Sequence, residues 1–207
     1  MFSFLLANSL AHAGGLTIGT GSQMALNDGS LNVGGNVAIT GTLTVGSGSL
    51  ALTGNWTNSG AFTPGTGTVT FNGTNQSISG ATTFYNLTKN VTTATTLTFQ
   101  NGSASKTTIT NTLNLQGASG QLLSLESDST PQWEIEPQGT RTIQYLNVQG
   151  SKNVNAADID ARGKNCTDSG NNTNWIFQYQ PPTLTSFSPT EGGTTTSVTI
   201  TGTNFTD

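Results

Sequence analysis

Residues 16–52 read LTIGTGSQMALNDGSLNVGGNVAITGTLTVGSGSLAL, in which one short unit recurs six times. Each unit is an apolar-x-apolar triplet bounded by Gly, Asn, Ser or Thr, and the units are residues 16–18, 24–26, 31–33, 37–39, 43–45 and 50–52. Apolar residues two positions apart point to the same face of a strand, so each triplet predicts a very short strand with one buried face. The triplets start six to eight residues apart, which leaves only a short turn between strands.

Strands this short predict a solenoid. They cannot sustain a series of hairpins, but they can stack on equivalent strands of the next coil, where every backbone group finds a partner. The sequence therefore predicts an all-β fold, a parallel β-helix with about three short strands and roughly 20 residues per coil. Because the spacing drifts, whereas a left-handed hexapeptide helix needs a near-strict period, we expect a right-handed parallel β-helix. The pattern continues to Phe177.

Composition supports this class. The chain has 26 glycines among 207 residues and only 8% charged residues, whereas about a quarter of the residues in an average soluble domain are charged. The apolar content of 32% is low for a globular core, but it suffices in a solenoid because each coil needs few inward side chains. The net charge of −4 leaves no basic patch, so we expect no nucleic-acid partner.

The sequence offers few groups for catalysis. Cys166 is the only cysteine, so no intrachain disulfide and no cysteine-rich zinc site can form. His12 is the only histidine, and it lies in a segment that cleavage would remove, which leaves no Ser-His-Asp arrangement. The glycine pairs lack a following helix and a P-loop lysine. We expect no catalytic residue, no metal and no cofactor.

Residues 1–13 combine a mostly apolar run of ten residues with Ala-His-Ala at positions 11–13, a small-x-small pattern typical of signal-peptide cleavage sites. The run lacks a positively charged start, so two interpretations stay open. It is either the remnant of a signal peptide or an N-terminal segment that caps the first coil. The run is too short to cross a bilayer, so we expect no membrane span, and the signal-peptide interpretation predicts a secreted or cell-surface protein.

Two acidic pairs stand out as candidate ligand- or ion-binding residues, Glu134 with Glu136 and Asp158 with Asp160. Each pair places two carboxylates about 7 Å apart on one strand face, a separation within the range that glycosidases use. The isoleucine between the two acids suits the core, so we expect the carboxylates to be a solvated face. Basic residues of neighbouring coils could pair with them, namely Arg141, Lys152, Arg162 and Lys164. The alternatives are a Ca²⁺ or sugar-binding cluster and a catalytic pair.

The middle of the chain carries recurring motifs. The stretch GNWTNSGAFTPGTGTVTFNG at residues 54–73 is followed by QSISG at 76–80 and FYNL at 84–87, and CTDSGNNTNWIF closes the array at 166–177. This pattern resembles a repeat of large secreted bacterial surface proteins with β-helical regions. The resemblance spans about residues 50–177. It implies a non-enzymatic structural stalk or adhesin-like segment of an exported protein, with surface glycans or other cells as partners, and it implies no activity.

The organisation changes at residues 178–182, where a proline pair ends the register and predicts a short linker. The following PTLTSFSPTEGGTTTSVTITGTNF, residues 182–205, resembles the opening of the immunoglobulin-like IPT/TIG domain family. The resemblance implies a partial Ig-like β-hairpin over residues 183–207. Such a domain is several times longer, so we expect the chain to be a fragment whose partners include the remaining domains of the same protein.

The predicted organisation is thus a signal remnant or cap at residues 1–13, a parallel β-helix at 14–177, a linker at 178–182 and a truncated IPT/TIG domain at 183–207. Two function classes remain. The first is the structural stalk or adhesin-like segment, and the alternative is a carbohydrate-active or carbohydrate-binding β-helix domain. An enzyme should have a cleft flanked by clustered acids between residues 127 and 162, whereas a stalk should be smooth there.

Overall fold

A computed structural model describes residues 3–5, 10–179, 181–203 and 205. Within these residues the chain is all β, without a helix. It divides into two compact units, Met1–Phe177 and Gln178–Asp207. The boundary falls at the start of the predicted linker. None of the described residues forms a helix that is long and apolar enough to span a membrane.

The first unit consists almost entirely of short strands. The first twelve are β1 Ser3–Leu5, β2 Leu10–His12, β3 Leu16–Ile18, β4 Gln23–Ala25, β5 Ser30–Val33, β6 Val37–Ile39, β7 Thr42–Thr44, β8 Ser49–Leu52, β9 Trp56–Asn58, β10 Ala61–Thr63, β11 Thr68–Phe71 and β12 Gln76–Ser79. The next eleven are β13 Thr82–Asn90, β14 Thr95–Phe99, β15 Gly102–Gln116, β16 Leu123–Ser127, β17 Trp133–Pro137, β18 Thr140–Gln144, β19 Leu146–Val148, β20 Ser151–Asn153, β21 Ile159–Asp160, β22 Thr167–Asp168 and β23 Trp175–Ile176.

Twenty-one of these strands form three parallel sheets, and β21 and β23 form a separate two-stranded parallel sheet. The first sheet has the order β1-β4-β7-β10, the second β2-β5-β8-β11-β13-β15-β17-β20 with β18 also on β15, and the third β3-β6-β9-β12-β14-β16-β19-β22. From β4 to β12 the chain passes through the three sheets in turn, so three strands make one coil. The prediction of short parallel strands stacked coil on coil is confirmed. The arrangement is consistent with a parallel β-helix.

The length of a coil follows from the strand register. Ser30 pairs with Ser49 and Ser49 with Thr68, nineteen residues apart each time. Coils in the middle of the unit are longer, since Thr112 pairs with Thr140, twenty-eight residues on. The last coils are short again, since Glu134 pairs with Lys152, eighteen residues on. The lengthening begins at β13, which contacts β10 and continues into the second sheet as one strand of nine residues. The predicted coil of roughly 20 residues therefore describes the first half of the unit better than the second.

The core runs through the unit as files of apolar side chains from equivalent positions of successive coils. One file in the second sheet is formed entirely by buried residues, Leu31, Leu50, Val69, Leu87 and Leu113. Aromatic rings fill the wider parts, and Phe99 stacks on Trp133 with ring centroids 4.0 Å apart and planes 5° from parallel. Trp56 is also fully buried, and Trp175 packs partly buried against the core. All three tryptophans thus pack in or against the core.

The corners of the coils need small or hydrogen-bonding residues. A Cβ atom on Gly60 would lie 2.3 Å from the carbonyl oxygen of Gly41 in the preceding coil, so only glycine fits there. At another corner, asparagine carboxamides link successive coils. The Asn36 Oδ1 atom accepts a hydrogen bond from the Asn55 N–H at 2.8 Å, and Asn55 Oδ1 accepts one from the Ser77 N–H at 2.9 Å. Side chains therefore satisfy backbone groups where the ladders are interrupted.

Both chain ends bear on the sequence predictions. Strands β1 and β2 pair in parallel with β4 and β5, although residues 1–2 and 6–9 of the predicted signal remnant lie outside the described residues. The described part of this segment therefore stacks on the strands of the next coil. In the second unit, β24 Thr183–Ser188 and β25 Thr199–Thr203 form an antiparallel hairpin.

Candidate functional site

The first acidic pair lies on β17, in the second sheet. Trp133, Ile135 and Pro137 of this strand are buried, whereas Glu134 and Glu136 alternate with them and have side chains that are 12% and 23% exposed. The alternation arises because successive side chains of a strand point to opposite faces. The two carboxylates therefore lie on the outer face, as the sequence predicts.

Each carboxylate of β17 holds a cation from a different neighbouring coil. Lys152 of β20 donates a hydrogen bond to Glu134 at 2.9 Å, and this is one of the predicted partners. Lys106 of β15 pairs with Glu136 at 2.5 Å. Lys106 is not among the partners predicted from the sequence. The Lys106 hydrogen bond holds the pKa of the Glu136 carboxyl below its usual range, with further hydrogen bonds from Gln138 and Thr108.

The second acidic pair lies elsewhere. Asp158 and Asp160 are exposed on either side of buried Ile159, and β21, which contains Asp160, pairs with β23 rather than with β17. Arg162 binds both carboxylate oxygens of Asp160 at 2.9 Å and lowers the pKa of that carboxyl. The structure thus does not join the two pairs in one sheet. The described part of the chain contains no group of three or more acids, histidines or cysteines that could hold a metal ion.

Two basic residues, buried Lys89 and half-buried Arg141, make structural contacts that were not predicted from the sequence. Lys89 is fully buried, and its place in the register is next to Leu115 on the inward face of the second sheet. Its ammonium group donates three hydrogen bonds, to the carbonyl oxygens of Gly73 at 2.7 Å and Thr74 at 3.1 Å and to Oε1 of Gln76 at 2.8 Å. No carboxylate is among these acceptors.

The environment of Lys89 shifts its titration. Burial away from water disfavours the charged form and lowers the pKa of the Lys89 amine from 10.5 to about 8. The sequence does indicate that Lys89 faces inward. Leu87-Thr-Lys89 continues the inward alternation of β13, which places the lysine in a core position. A lysine at a core position needs hydrogen-bond acceptors around its ammonium group, because burying an unpaired charge is costly.

Arg141 is the second case. It occupies the register position next to buried Leu113, and its guanidinium group binds backbone carbonyl oxygens of two turns. It donates to Pro137 at 2.7 Å, to Ala157 at 3.0 Å and to Asp158 at 2.6 Å. Burial lowers the pKa of Arg141, and the nearby Asp158 charge opposes this effect. Arg141 therefore fastens the turn before β21, and its hydrogen bond to Asp158 is to the backbone rather than to the carboxylate.

A cleft of about 270 Å³ opens at the corner that follows β16. We call it the corner cleft, and its lining comprises Ser127, Ser129, Thr130, Gln132, Gln149, Gly150 and Asn171. It lies largely in the stretch where an enzyme should show a cleft flanked by acids. None of the residues that line it is acidic or basic, and neither acidic pair belongs to it.

No family model, no curated protein and no solved structure matches this chain significantly. Its function must therefore be inferred from the arrangement of its own residues. The arrangement consists of stacked parallel coils, carboxylates held by lysine and arginine, and a neutral cleft at one corner.

Proposed function

We propose that this chain is a non-enzymatic structural segment, a stalk or adhesin-like part of an exported cell-surface or extracellular protein. The observation that carries the proposal is the state of the candidate acids. Glu134, Glu136 and Asp160 each hold a cation. A glycosidase needs one carboxyl whose pKa is raised so that it can donate a proton, whereas the pKa values of Glu136 and Asp160 are lowered.

The outer surface of the coils supports a spacing role. In the second sheet, the outward positions between the core files carry uncharged Thr70, Thr88, Asn114 and Thr142 in successive register. Threonine is a good outward strand residue and gives a hydrated, neutral face. Such a face suits a segment that holds other domains apart, with glycans or other cells as the targets of the larger protein.

The handedness of the coils belongs to the same proposal. We infer a right-handed parallel β-helix, because the strand spacing is irregular and parallel crossover connections are right-handed in nearly all known cases. An experimentally determined structure would test this inference. A left-handed course of the chain through the three sheets would contradict it.

For the second unit we propose the start of an IPT/TIG-type Ig-like domain. The support is the sequence resemblance together with the exposed apolar side chains Leu184, Phe187, Val198 and Ile200, which a second sheet would cover in a sandwich. A two-stranded hairpin alone is marginally stable. Backbone amides of β25 should therefore exchange rapidly with solvent in this chain, and slow exchange there would show that the hairpin does not need a second sheet.

Two experiments test the proposed function. Antibodies against the coil unit should label intact cells of the source organism as strongly as permeabilised ones, since the protein is exported. Labelling only after permeabilisation would contradict export. The purified chain should leave pectin, alginate and other acidic glycans intact. Depolymerisation by the parent, lost when Glu134, Glu136, Asp158 and Asp160 are changed to Gln or Asn, would establish the carbohydrate-active alternative instead.

A further inference from the structure

The corner cleft is built from three successive coils. The end of β16 and the segment before β17 contribute Ser127, Ser129, Thr130 and Gln132. The turn after β19 contributes Gln149 and Gly150, and the turn before β23 contributes Asn171. A cleft assembled from several coils exists only when the coils are correctly stacked. Its geometry is therefore fixed by the parallel sheets on either side of it.

The floor of the corner cleft is held rigidly by Gln132. The two N–H groups of its Nε2 atom are shared among three acceptors, the carbonyl oxygen of Ser151 at 3.2 Å, that of Asn171 at 2.6 Å and the Thr173 hydroxyl at 3.0 Å. Below it, the indole N–H of fully buried Trp133 donates to the carbonyl oxygen of Gln149 at 3.0 Å. These bonds fix the backbone at both walls, so binding would cost little reorganisation.

Two carboxamides at the rim remain open for a ligand. Within the described residues, the side-chain amides of Gln149 and Asn171 form no hydrogen bond, although the backbones of both residues do. Each carboxamide offers two donors and an acceptor. The Asn171 amide nitrogen also lies near Gly150, since a Cβ atom built on that glycine would be 4.0 Å away from it. Gln149 and Asn171 thus both line the same cleft.

The chemistry of the lining selects the ligand class. Hydroxyl and carboxamide groups both donate and accept hydrogen bonds, and they carry no charge at any pH that keeps the chain folded. The acids that lie close to the lining residues in sequence are Glu126, Asp128 and Asp168, and none of them is part of the lining. The Asp128 carboxylate accepts the Asn101 N–H at 2.8 Å, and the Asp168 carboxylate accepts the Gly170 N–H at 2.9 Å. An anion would find no cation here and a metal ion no carboxylate. A neutral molecule with many hydroxyl groups matches the lining.

We propose that the corner cleft binds one residue of a neutral glycan. The volume of about 270 Å³ lies just below the range of drug-sized pockets, which suits a single sugar ring. This inference is independent of the structural role proposed above, because a stalk that binds no sugar at this cleft still serves as a stalk. It assigns binding without chemistry, since no acid lines the cleft.

The test is a titration of the isotope-labelled full chain with neutral sugars, followed by amide NMR shifts. Glucose, galactose, mannose and N-acetylglucosamine serve as probes, and galacturonate is the acidic comparison. We expect at least one neutral sugar to shift amides of residues 127–132, 149–150 and 171 in a saturable way, with millimolar affinity, and galacturonate to bind more weakly. No saturable shift with any neutral sugar would overturn the proposal, as would a preference for galacturonate.

Substitutions at the two open amides test whether the sugar binds in the corner cleft. Gln149→Ala removes one open amide from an exposed side chain, and Asn171→Gly removes the other while keeping the positive φ of 55° accessible. Loss of these hydrogen bonds should weaken binding roughly tenfold in the double variant. Gln23→Ala, at another exposed glutamine, is the matched control and should bind as the parent does. Equal affinity in the parent and the double variant, with both folded by their spectra, would remove the site from this cleft.

Discussion

The first and second halves of the coil unit hold neighbouring coils together by different means. Before Lys89 the chain has a single side chain of fixed charge, Asp28, so the early coils depend on apolar files and on close backbone contact at glycine corners. From β13 to β18 the strands are longer, and ionic groups take part through Lys89, Arg141 and the ion pairs of β17. In this molecule the one buried lysine lies where carbonyl oxygens of a neighbouring turn and the Gln76 carboxamide accept its hydrogen bonds.

The largest effect should come from breaking an apolar file in the first half. Ile39→Asp would place an unpaired charge at a position with no solvent exposure, and we expect a loss of more than about 3 kcal/mol in the free energy of unfolding. Thr44→Asp, on the outward side of β7, should cost little. Urea unfolding of the two variants makes the comparison. Similar losses would show that the inward and outward faces are wrongly assigned.

The second-largest effect on stability should come from the titration of Lys89, which tests the second half of the coil unit. Between pH 8 and 10.5 the unfolded chain keeps a proton on this amine that the folded chain releases. The unfolded state then binds more protons, so the free energy of unfolding should rise with pH across this window, by roughly 3 kcal/mol in all. Urea unfolding at several pH values measures it.

Lys89→Met is the control for that titration, because it removes the amine while keeping an unbranched chain in the core position. Other groups titrate in the same window, so the informative quantity is the difference in pH slope between parent and variant. The variant should lack the rise that the parent shows. Parallel slopes would mean that the amine keeps its ordinary pKa despite its burial.

A smaller effect is expected at the corners of the first half. Gly60→Ala would bring its Cβ atom to 2.3 Å from the Gly41 carbonyl oxygen, and backbone must shift to relieve the clash. We expect a loss of about 2 kcal/mol. At Gly19 the nearest atom would be 4.0 Å away, so Gly19→Ala should be close to neutral. Thermal unfolding distinguishes the two, and a neutral Gly60→Ala would show that the corners can separate without cost.

The smallest effect should come from the ion pairs. Glu134→Gln removes the partner of Lys152, whose side chain is 44% exposed. Exposed pairs contribute about 0–1 kcal/mol and weaken with salt, so we expect a loss below about 1 kcal/mol that disappears at high ionic strength. Unfolding curves at low and high salt measure it. A large loss that salt does not reduce would show that this pair contributes more than an exposed ion pair does.

The sequence predicted the repeating strands well, because an apolar-x-apolar triplet directly encodes a buried strand face. The six triplets fall on β3 to β8 within a residue at most ends. The sequence could not predict that β13 and β15 each continue through a position at which the chain turns in the earlier coils. A long strand has the same local alternation of apolar and polar residues as two short strands. The merger depends on contacts with coils distant in sequence.

The candidate site was predictable only in part. The outward placement of Glu134 and Glu136 follows from alternation along β17, but the partner of Glu136 could not be identified. Lys106 lies thirty residues earlier, and its alignment depends on the register irregularity between Gly102 and Thr107. The corner cleft could not be predicted from the sequence. Its walls come from three coils, and the lengths of those coils determine which residues meet there.

The direction of the interstrand hydrogen bonds has a mechanical consequence. Parallel ladders join each coil to the next, so these bonds point along the stacking axis. Tension on the two ends of the unit would load them one coil at a time instead of shearing a whole sheet at once. Each coil of nineteen residues would release about 65 Å of extended chain as it detaches. The first unit is therefore built to yield in steps and to lengthen under load before its whole core is lost.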